Sequence, residues 1–247
     1  MQGYNGKISV IMPAHNEDHH IVSNLRETME ALDGFGCDYE IIVLDDGSTD
    51  NTLREARKFA ANFSNIHIKR NMVNYGKGRA MKKAFRYVEG DIVAFLDADL
   101  DLHPEQIRTL FHALRENRAD IVIGSKRHPR SKVDYPWQRR VVSFGYHFLT
   151  RIMFNLPVRD TQTGIKLFKY EVLKKVFPKV LCKRFAFDLE LLANAHHMGY
   201  RIVEIPITLD FKKRCWRRIG WSAIFNTWWD TMAIFYRMYI LRYYDKI

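Results

Sequence analysis

Short apolar runs rich in β-branched residues alternate with stretches of helical period through the first half of the chain. Residues 8–12 read as a buried strand stopped by Pro13, and 39–44 as a second, ended by Asp45-Asp46-Gly47. A weaker third run covers 66–68, a fourth 91–96 and a fifth 121–123. Between them, 21–32, 52–62, 79–88 and 105–117 place apolar residues at amphipathic helical spacing. Asp50 suits the N-cap of the second of these helices, and Pro104 the first turn of the fourth. Strand and helix in alternation predict an α/β fold, a mostly parallel sheet with helices on both faces. In such sheets ligands bind beyond the carboxyl ends of the strands. The second half is less regular. Helices are expected at 137–154 and 187–198, strands at 164–168 and 201–207, and a long aromatic-rich helix or helix pair at 220–244.

The chain's 247 residues, 47% hydrophobic and 27% charged, suffice for one sizeable core. A main domain over 1–219 and an amphipathic tail over 220–247 are the expected units. Lys and Arg number 39 against 28 Asp and Glu, a formal charge of +11 that favours an anionic partner: nucleic acid, a membrane surface or a phosphorylated substrate. Three widely spaced cysteines without a CxxC pair argue against a disulfide framework or a cysteine zinc site and fit a reduced, cytosol-facing setting. Residues 1–7 lack the apolar stretch of a signal peptide, and no uncharged apolar run is long enough for an ordinary transmembrane helix.

The polar residues at the strand ends are where chemistry is expected. The fourth strand runs into Asp97-Ala98-Asp99-Leu100-Asp101. Three carboxylates at alternate positions suit Mg²⁺ or Mn²⁺, hard cations held by one or two carboxylates plus substrate phosphates. The plain alternative is a loop of solvated acids in which Asp101 caps the next helix. The first two strands end in Pro13-Ala14-His15-Asn16-Glu17 and Asp45-Asp46-Gly47-Ser48-Thr49-Asp50. A carboxylate there can accept from a ribose hydroxyl or a base N–H. Turn and capping chemistry accounts for Gly47 and Asp50, not for two adjacent acids. Asn74-Tyr75-Gly76-Lys77-Gly78-Arg79 opens the third helix, where glycines allow backbone amides near a phosphate and Lys77 adds charge. The P-loop spacing is absent.

In this order the motifs resemble family 2 glycosyltransferases of the GT-A fold, and among them the enzymes that glycosylate dolichyl or polyprenyl phosphate. The matching stretches are VIMPAHNE (10–17), DDGSTD (45–50), NYGKGRA (74–80) and FLDADLD (95–101), then GSKR (124–127), DTQTGIKLF (160–168) and FAFDLELL (185–192). The resemblance implies that Pro13, His15 and Glu17 line the nucleotide pocket and that Asp46 contacts the nucleoside. It implies that Asp97 and Asp99 hold the metal on the donor diphosphate, with Ala98 against the nucleotide and Asp101 as a further ligand. Lys126 and Arg127, with Arg139 and Ser143, match the acceptor-phosphate cluster. Arg217 opens a stretch, 217–222, like the family's R-x-x-G-x-S loop over the donor, with Ala223 in place of its usual lysine. The donor implied is a UDP-hexose such as UDP-glucose, or GDP-mannose.

A phosphate nucleophile is already anionic, so it requires orienting cations rather than a base. Lys126, Arg127, Arg139 and Arg217 supply them, and a divalent ion offsets charge on the leaving diphosphate. The rival is a soluble family 2 enzyme acting on a sugar hydroxyl, for which Asp188 or Glu190 is the candidate base. For these two acids, capping plus one buried ion pair is the competing explanation. A nucleic-acid-binding role leaves Asp97, Asp99 and Asp101 repelling phosphates, so no nucleic acid is expected. In the tail, Trp221, Phe225, Trp228, Met232, Phe235 and Tyr239 recur at helical spacing, with Ser222, Asn226, Asp230 and Arg237 marking the opposite side. That stripe suits peripheral attachment at the cytoplasmic face of a membrane; the alternative is packing on the domain or a dimer interface.

Overall fold

The structure, a computed structural model, describes residues 4–99, 101–133, 137–184, 186–209 and 221–246, with 133, 137–144 and 221–224 as backbone alone. Seven strands form one sheet: β1 (Lys7–Ala14), β2 (Asp38–Asp46), β3 (Ile66–Asn71), β4 (Ile92–Leu96), β5 (Ile121–Ser125), β7 (Ile165–Lys169) and β8 (Ile202–Pro206). Their order is β3-β2-β1-β4-β7-β5-β8, and a separate pair joins β6 (Lys132–Val133) to β9 (Thr208–Leu209). All neighbours in the large sheet run parallel except β7, which lies antiparallel between β4 and β5.

The strands are apolar on both faces because both faces are covered. Ile8, Val10 and Met12 of β1, Ile41 and Val43 of β2, and Ala94 and Leu96 of β4 point to one side. There they pack under α1 (Ile21–Asp33) and α4 (Gln106–Glu116). The intervening Ile11, Ile42, Leu44, Val93 and Phe95 point the other way. That second core is closed by α3 (Lys77–Ala84), α6 (Tyr170–Val176) and α7 (Phe187–His197). It holds an aromatic cluster, in which Phe95 lies 4.6 Å from Phe168 and Phe177 lies 5.9 Å from Phe187, centroid to centroid. α2 (Thr52–Ala60) flanks the β3 edge.

The C-terminal stretch departs from one continuous helix. α5 (Trp137–Phe154) packs on α8 (Trp221–Phe235), which passes into a π-helical turn, Tyr236–Ile240. Arg242 then takes a left-handed backbone, φ 48°, before a short 3-10 turn, Tyr243–Asp245. Ile234, Met238 and Tyr244 are buried in the same core as α7. The buried side of α8 and the π-helical turn is thus Thr231, Ile234 and Met238, one position off the aromatic stripe. The side read as polar turns inward: Arg237 reaches Glu190 at 2.8 Å, and Asn226 and Asp230 border the cleft described next.

Candidate active site

The carboxyl ends of β1, β2 and β4 and the start of α3 open into a cleft of about 820 Å³. Pro13, His15, Glu17, Asp46, Lys77, Asp97, Ala98 and Asp99 all line it. Gln162, Arg184, Asp188, Asn226, Thr227 and Asp230 also line the wall. Among these, the α8 residues carry no local motif, and only the period of the tail helix, phased by its burial, brings them in.

Two of the strand-end loops are stitched together. Asn16, in a left-handed conformation (φ 56°), donates its backbone N–H to Ser48 Oγ at 3.0 Å and accepts at Oδ1 from the Thr49 N–H at 2.9 Å. The Glu17 N–H donates to Thr52 Oγ1 at 2.7 Å, and Asp50 accepts from the Thr52 N–H at 2.9 Å. Asp50 therefore caps α2 from one residue before Asn51, the position preceding the helix. Asn24 of α1 donates to the Ala98 carbonyl, fixing the residue between the two aspartates.

Asp46 borders the cleft, with its carboxylate engaged by the loop beside it. Oδ1 accepts from Asn71 Nδ2 at 2.7 Å and the Tyr75 N–H at 3.1 Å, and Oδ2 from the Gly76 N–H at 2.8 Å. The glycine-rich stretch likewise serves a different purpose from the phosphate cradle expected of it. The amides of Gly78 and Arg79 donate to the Lys183 carbonyl at 2.9 and 3.4 Å. A Cβ on Gly76, where φ is +94°, would sit 2.5 Å from that same oxygen. These glycines allow close approach of the 182–184 loop, and Asn74, Gly76 and Lys77 of this stretch line the cleft, Lys77 bringing the charge.

Four charges meet on the cleft floor. Lys77 Nζ lies 2.7 Å from Asp97 Oδ1 and 3.8 Å from Asp188 Oδ2. The fully buried Lys166 lies 2.6 Å from Asp188 Oδ1 and donates to the Thr163 carbonyl at 2.6 Å. Burial would lower the Lys77 pKa, but Asp97, Asp188 and Asp99 together raise it, so Lys77 is held protonated. For Lys166, burial prevails and the pKa is lowered. Burial also pushes the Asp230 carboxyl up, against the pull of Arg237 and Arg184.

Asp97 and Asp99 also border a smaller adjoining cavity of about 150 Å³, shared with Asp101, Lys126 and Gln162. Gly164 permits this: a Cβ there would be 2.6 Å from Asp97 Oδ2. Asp160 pins the neighbouring loops by accepting from the Lys126 N–H at 3.0 Å and the Gln162 N–H at 3.1 Å. Asp97, Asp99 and Asp101 thus border one cavity, although among the described residues no three His, Cys, Asp or Glu side chains are gathered closely enough to form a metal-binding group. Two carboxylates beside an open cleft still fit a divalent ion whose other ligands come from a bound diphosphate. Arg127 follows β5, its N–H donating to Ser125 Oγ at 3.3 Å. The side chains of Arg139 and Ser143, in the first turns of α5, and Arg217 lie outside the described residues.

Glu190 does not reach the cleft. It is fully buried, accepts from the amides of Leu181 and Cys182 at 2.8 and 2.6 Å, and binds Arg237 and the Tyr244 hydroxyl. That geometry removes it as a base for a hydroxyl acceptor. Asp188 does line the cleft, paired to lysine through both oxygens.

Residues 9–177 match the model of glycosyl transferase family 2, and the chain belongs to that family. It is 30% identical over 253 residues to a dolichyl-phosphate beta-glucosyltransferase of Trichomonas vaginalis, covering 97% of this chain and 76% of that one. It is 31% identical over 232 residues to the glycosyltransferase AglD of Haloferax volcanii, covering 91% of this chain but 37% of AglD. The Saccharomyces cerevisiae dolichyl-phosphate beta-glucosyltransferase is 30% identical over 220 residues, 81% of this chain and 66% of the relative. Among solved structures, glucosyl-3-phosphoglycerate synthase of Mycobacterium tuberculosis with Mn²⁺, UDP-glucose and phosphoglyceric acid superposes with TM-score 0.70. Its sequence identity is 22%, and the match covers 94% of this chain and 79% of that one. The sheet and its flanking helices are those of the GT-A fold.

Proposed function

We propose that this protein transfers a hexose from a nucleoside-diphosphate sugar to the phosphate of dolichyl or polyprenyl phosphate, with inversion at the anomeric carbon. The observation that carries the reading is the cleft floor: Asp97 and Asp99 at the end of β4, with Lys77 in contact, under a wall of strand-end residues. Pro13, His15, Glu17 and Ala98 hold the nucleoside end of the donor, and Lys77 and Arg217 the diphosphate. Asp97 and Asp99 would hold Mg²⁺ or Mn²⁺, which would supply positive charge to the leaving nucleoside diphosphate. Lys126 and Arg127, with Arg139 and Ser143 on α5, orient the acceptor phosphate for in-line attack. No proton need be removed from such a nucleophile. The removal of Glu190 from the cleft and the pairing of Asp188 with two lysines favour this acceptor over a sugar hydroxyl. The names of the dolichyl-phosphate beta-glucosyltransferase relatives support the same class, with glucose as the hexose.

The test is a panel of radiolabelled nucleotide sugars incubated with dolichyl phosphate and extracted into organic solvent. One hexose from the panel is expected in the organic phase as a β-linked, mild-acid-labile lipid phosphosugar. Label retained in water as an oligosaccharide overturns the lipid-phosphate reading and leaves the hydroxyl acceptor.

Attachment to the cytoplasmic face of a membrane follows from the same reading. Among the described residues no helix is long and apolar enough to cross a bilayer. α8 turns Asn226, Thr227 and Asp230 to the cleft and leaves Phe225, Trp228 and Trp229 exposed; Tyr236 after it, and Phe148 and Ile152 of α5, are exposed as well. Aromatic rings turned outward suit the headgroup region of a membrane. Flotation with anionic liposomes is expected to be lost in Trp228→Glu/Trp229→Glu. Unchanged flotation of the folded double variant places membrane contact elsewhere.

A further inference from the structure

The cation on the cleft floor occupies the group that the metal requires. Lys77 Nζ is 2.7 Å from Asp97 Oδ1 and one-fifth exposed, at the first residue of α3. Its four-carbon stem is rotatable, so its ammonium group can leave Asp97 without movement of the helix. Lys166 is different: it is fully buried, and its bond to the Thr163 carbonyl keeps it on Asp188. The pairs Lys77–Asp97 and Lys166–Asp188 sum to zero charge, so the charge of Asp97 is offset before any ion arrives. A divalent ion meeting this arrangement faces an ammonium on one of its two protein ligands. A diphosphate entering the cleft changes the balance, because it offers Lys77 an alternative anion and offers the metal further oxygens.

We propose that Lys77 is an internal competitor for the metal site: it neutralises Asp97 in the empty enzyme and exchanges to the donor diphosphate when metal and nucleotide bind together. Metal and nucleotide affinities are then coupled through one side chain, and each raises the other by the same factor. A bare metal ion is bound weakly, so the carboxylates are filled chiefly when a donor is present. This inference rests on the proposed nucleotide-sugar reading and assigns Lys77 a second role within it, as the residue that sets the order of loading.

The experiment is Mn²⁺ binding followed by electron paramagnetic resonance of the free ion, with wild type and Lys77→Met, in the absence of nucleotide and in saturating UDP or GDP. Lys77→Met is expected to bind Mn²⁺ alone on the order of tenfold more tightly than wild type, within the usual range for such coupling. In wild type the nucleotide is expected to strengthen Mn²⁺ binding by at least that factor beyond the ion's own affinity for free nucleotide; in Lys77→Met the gain is smaller. Equal or weaker binding of Mn²⁺ alone by Lys77→Met overturns the competition. Wild-type Mn²⁺ affinity indifferent to nucleotide does so as well, and that arm needs no variant to fold. Failure of both UDP and GDP to bind wild type with or without Mn²⁺, measured by calorimetry on the same samples, counts against the nucleotide-sugar reading itself. Joint binding of Mn²⁺ and nucleotide with no effect of Lys77 leaves that reading intact and removes only the exchange.

Discussion

Asp99→Asn is expected to lower turnover by about 10²–10³-fold while leaving the fold unchanged. The magnitude is that of removing one preorganised group that meets charge developing in the transition state. Asp99 follows β4 in a turn, partly exposed, bordering both the cleft and the smaller cavity. Replacing its carboxylate with an amide of the same shape costs the fold about 0.5 kcal/mol or less, the usual range for a surface change. Asp101→Asn is expected to be much milder, because Asp101 lines only the smaller cavity and joins no three-carboxylate group among the described residues. The measurement is turnover at saturating donor across a Mg²⁺ and Mn²⁺ series, with thermal melts of each variant. Addition of excess chelator is expected to bring wild type down to the level of Asp99→Asn. Full activity of Asp99→Asn in chelator would remove the two-carboxylate metal site from the mechanism.

The strand-end residues were legible in the sequence because a parallel sheet leaves little freedom there. An apolar run of five or six residues must be buried, and the polar residues that follow it must emerge at one edge. Pro13, His15, Glu17, Asp97, Ala98 and Asp99 reach the cleft for that reason. The direction of β7 was not legible, since a short apolar strand reads the same either way, and its place between β4 and β5 is set by tertiary pairing. The Asn74–Arg79 stretch shows a second limit. A glycine that admits a phosphate and a glycine that admits a neighbouring carbonyl have the same letter, and only Lys183 across the gap tells them apart. In the tail, periodicity located a helix without phasing it. The polar stripe and the aromatic stripe were equally regular, and the structure buries the side that carries Thr231, Ile234 and Met238. Polar residues adjoining that side serve the cleft and Glu190, while Phe225, Trp228 and Trp229 stay exposed and Phe235 packs on the core.

Arg237→Leu is expected to destabilise the protein by roughly 3 kcal/mol, the lower end for stripping a buried carboxylate of its cation. Glu190 has no solvent to turn to: it is fully buried, and once Arg237 Nη1, at 2.8 Å, is gone it keeps as hydrogen-bond donors among the described residues two amides and the Tyr244 hydroxyl. For a chain of this size that is a fall in melting temperature of about 6–12 °C. Glu190→Gln alone removes the charge and retains an acceptor, so its cost is smaller. The double variant Arg237→Leu/Glu190→Gln is expected to recover much of the loss, since no uncompensated charge remains; melting the four proteins gives the coupling directly. Activity adds a second, independent readout. Glu190 holds the 181–182 backbone, next to the Lys183 carbonyl that meets the start of α3, so Glu190→Gln is expected to raise the KM for the donor by a few-fold with a small change in kcat. A catalytic base lost from a hydroxyl-acceptor enzyme would show the reverse, a fall of about 10²–10⁴-fold in kcat with KM little changed. That pattern, or a double variant no more stable than Arg237→Leu, would show that Glu190 is not the buried tie between α7 and the C-terminal turn.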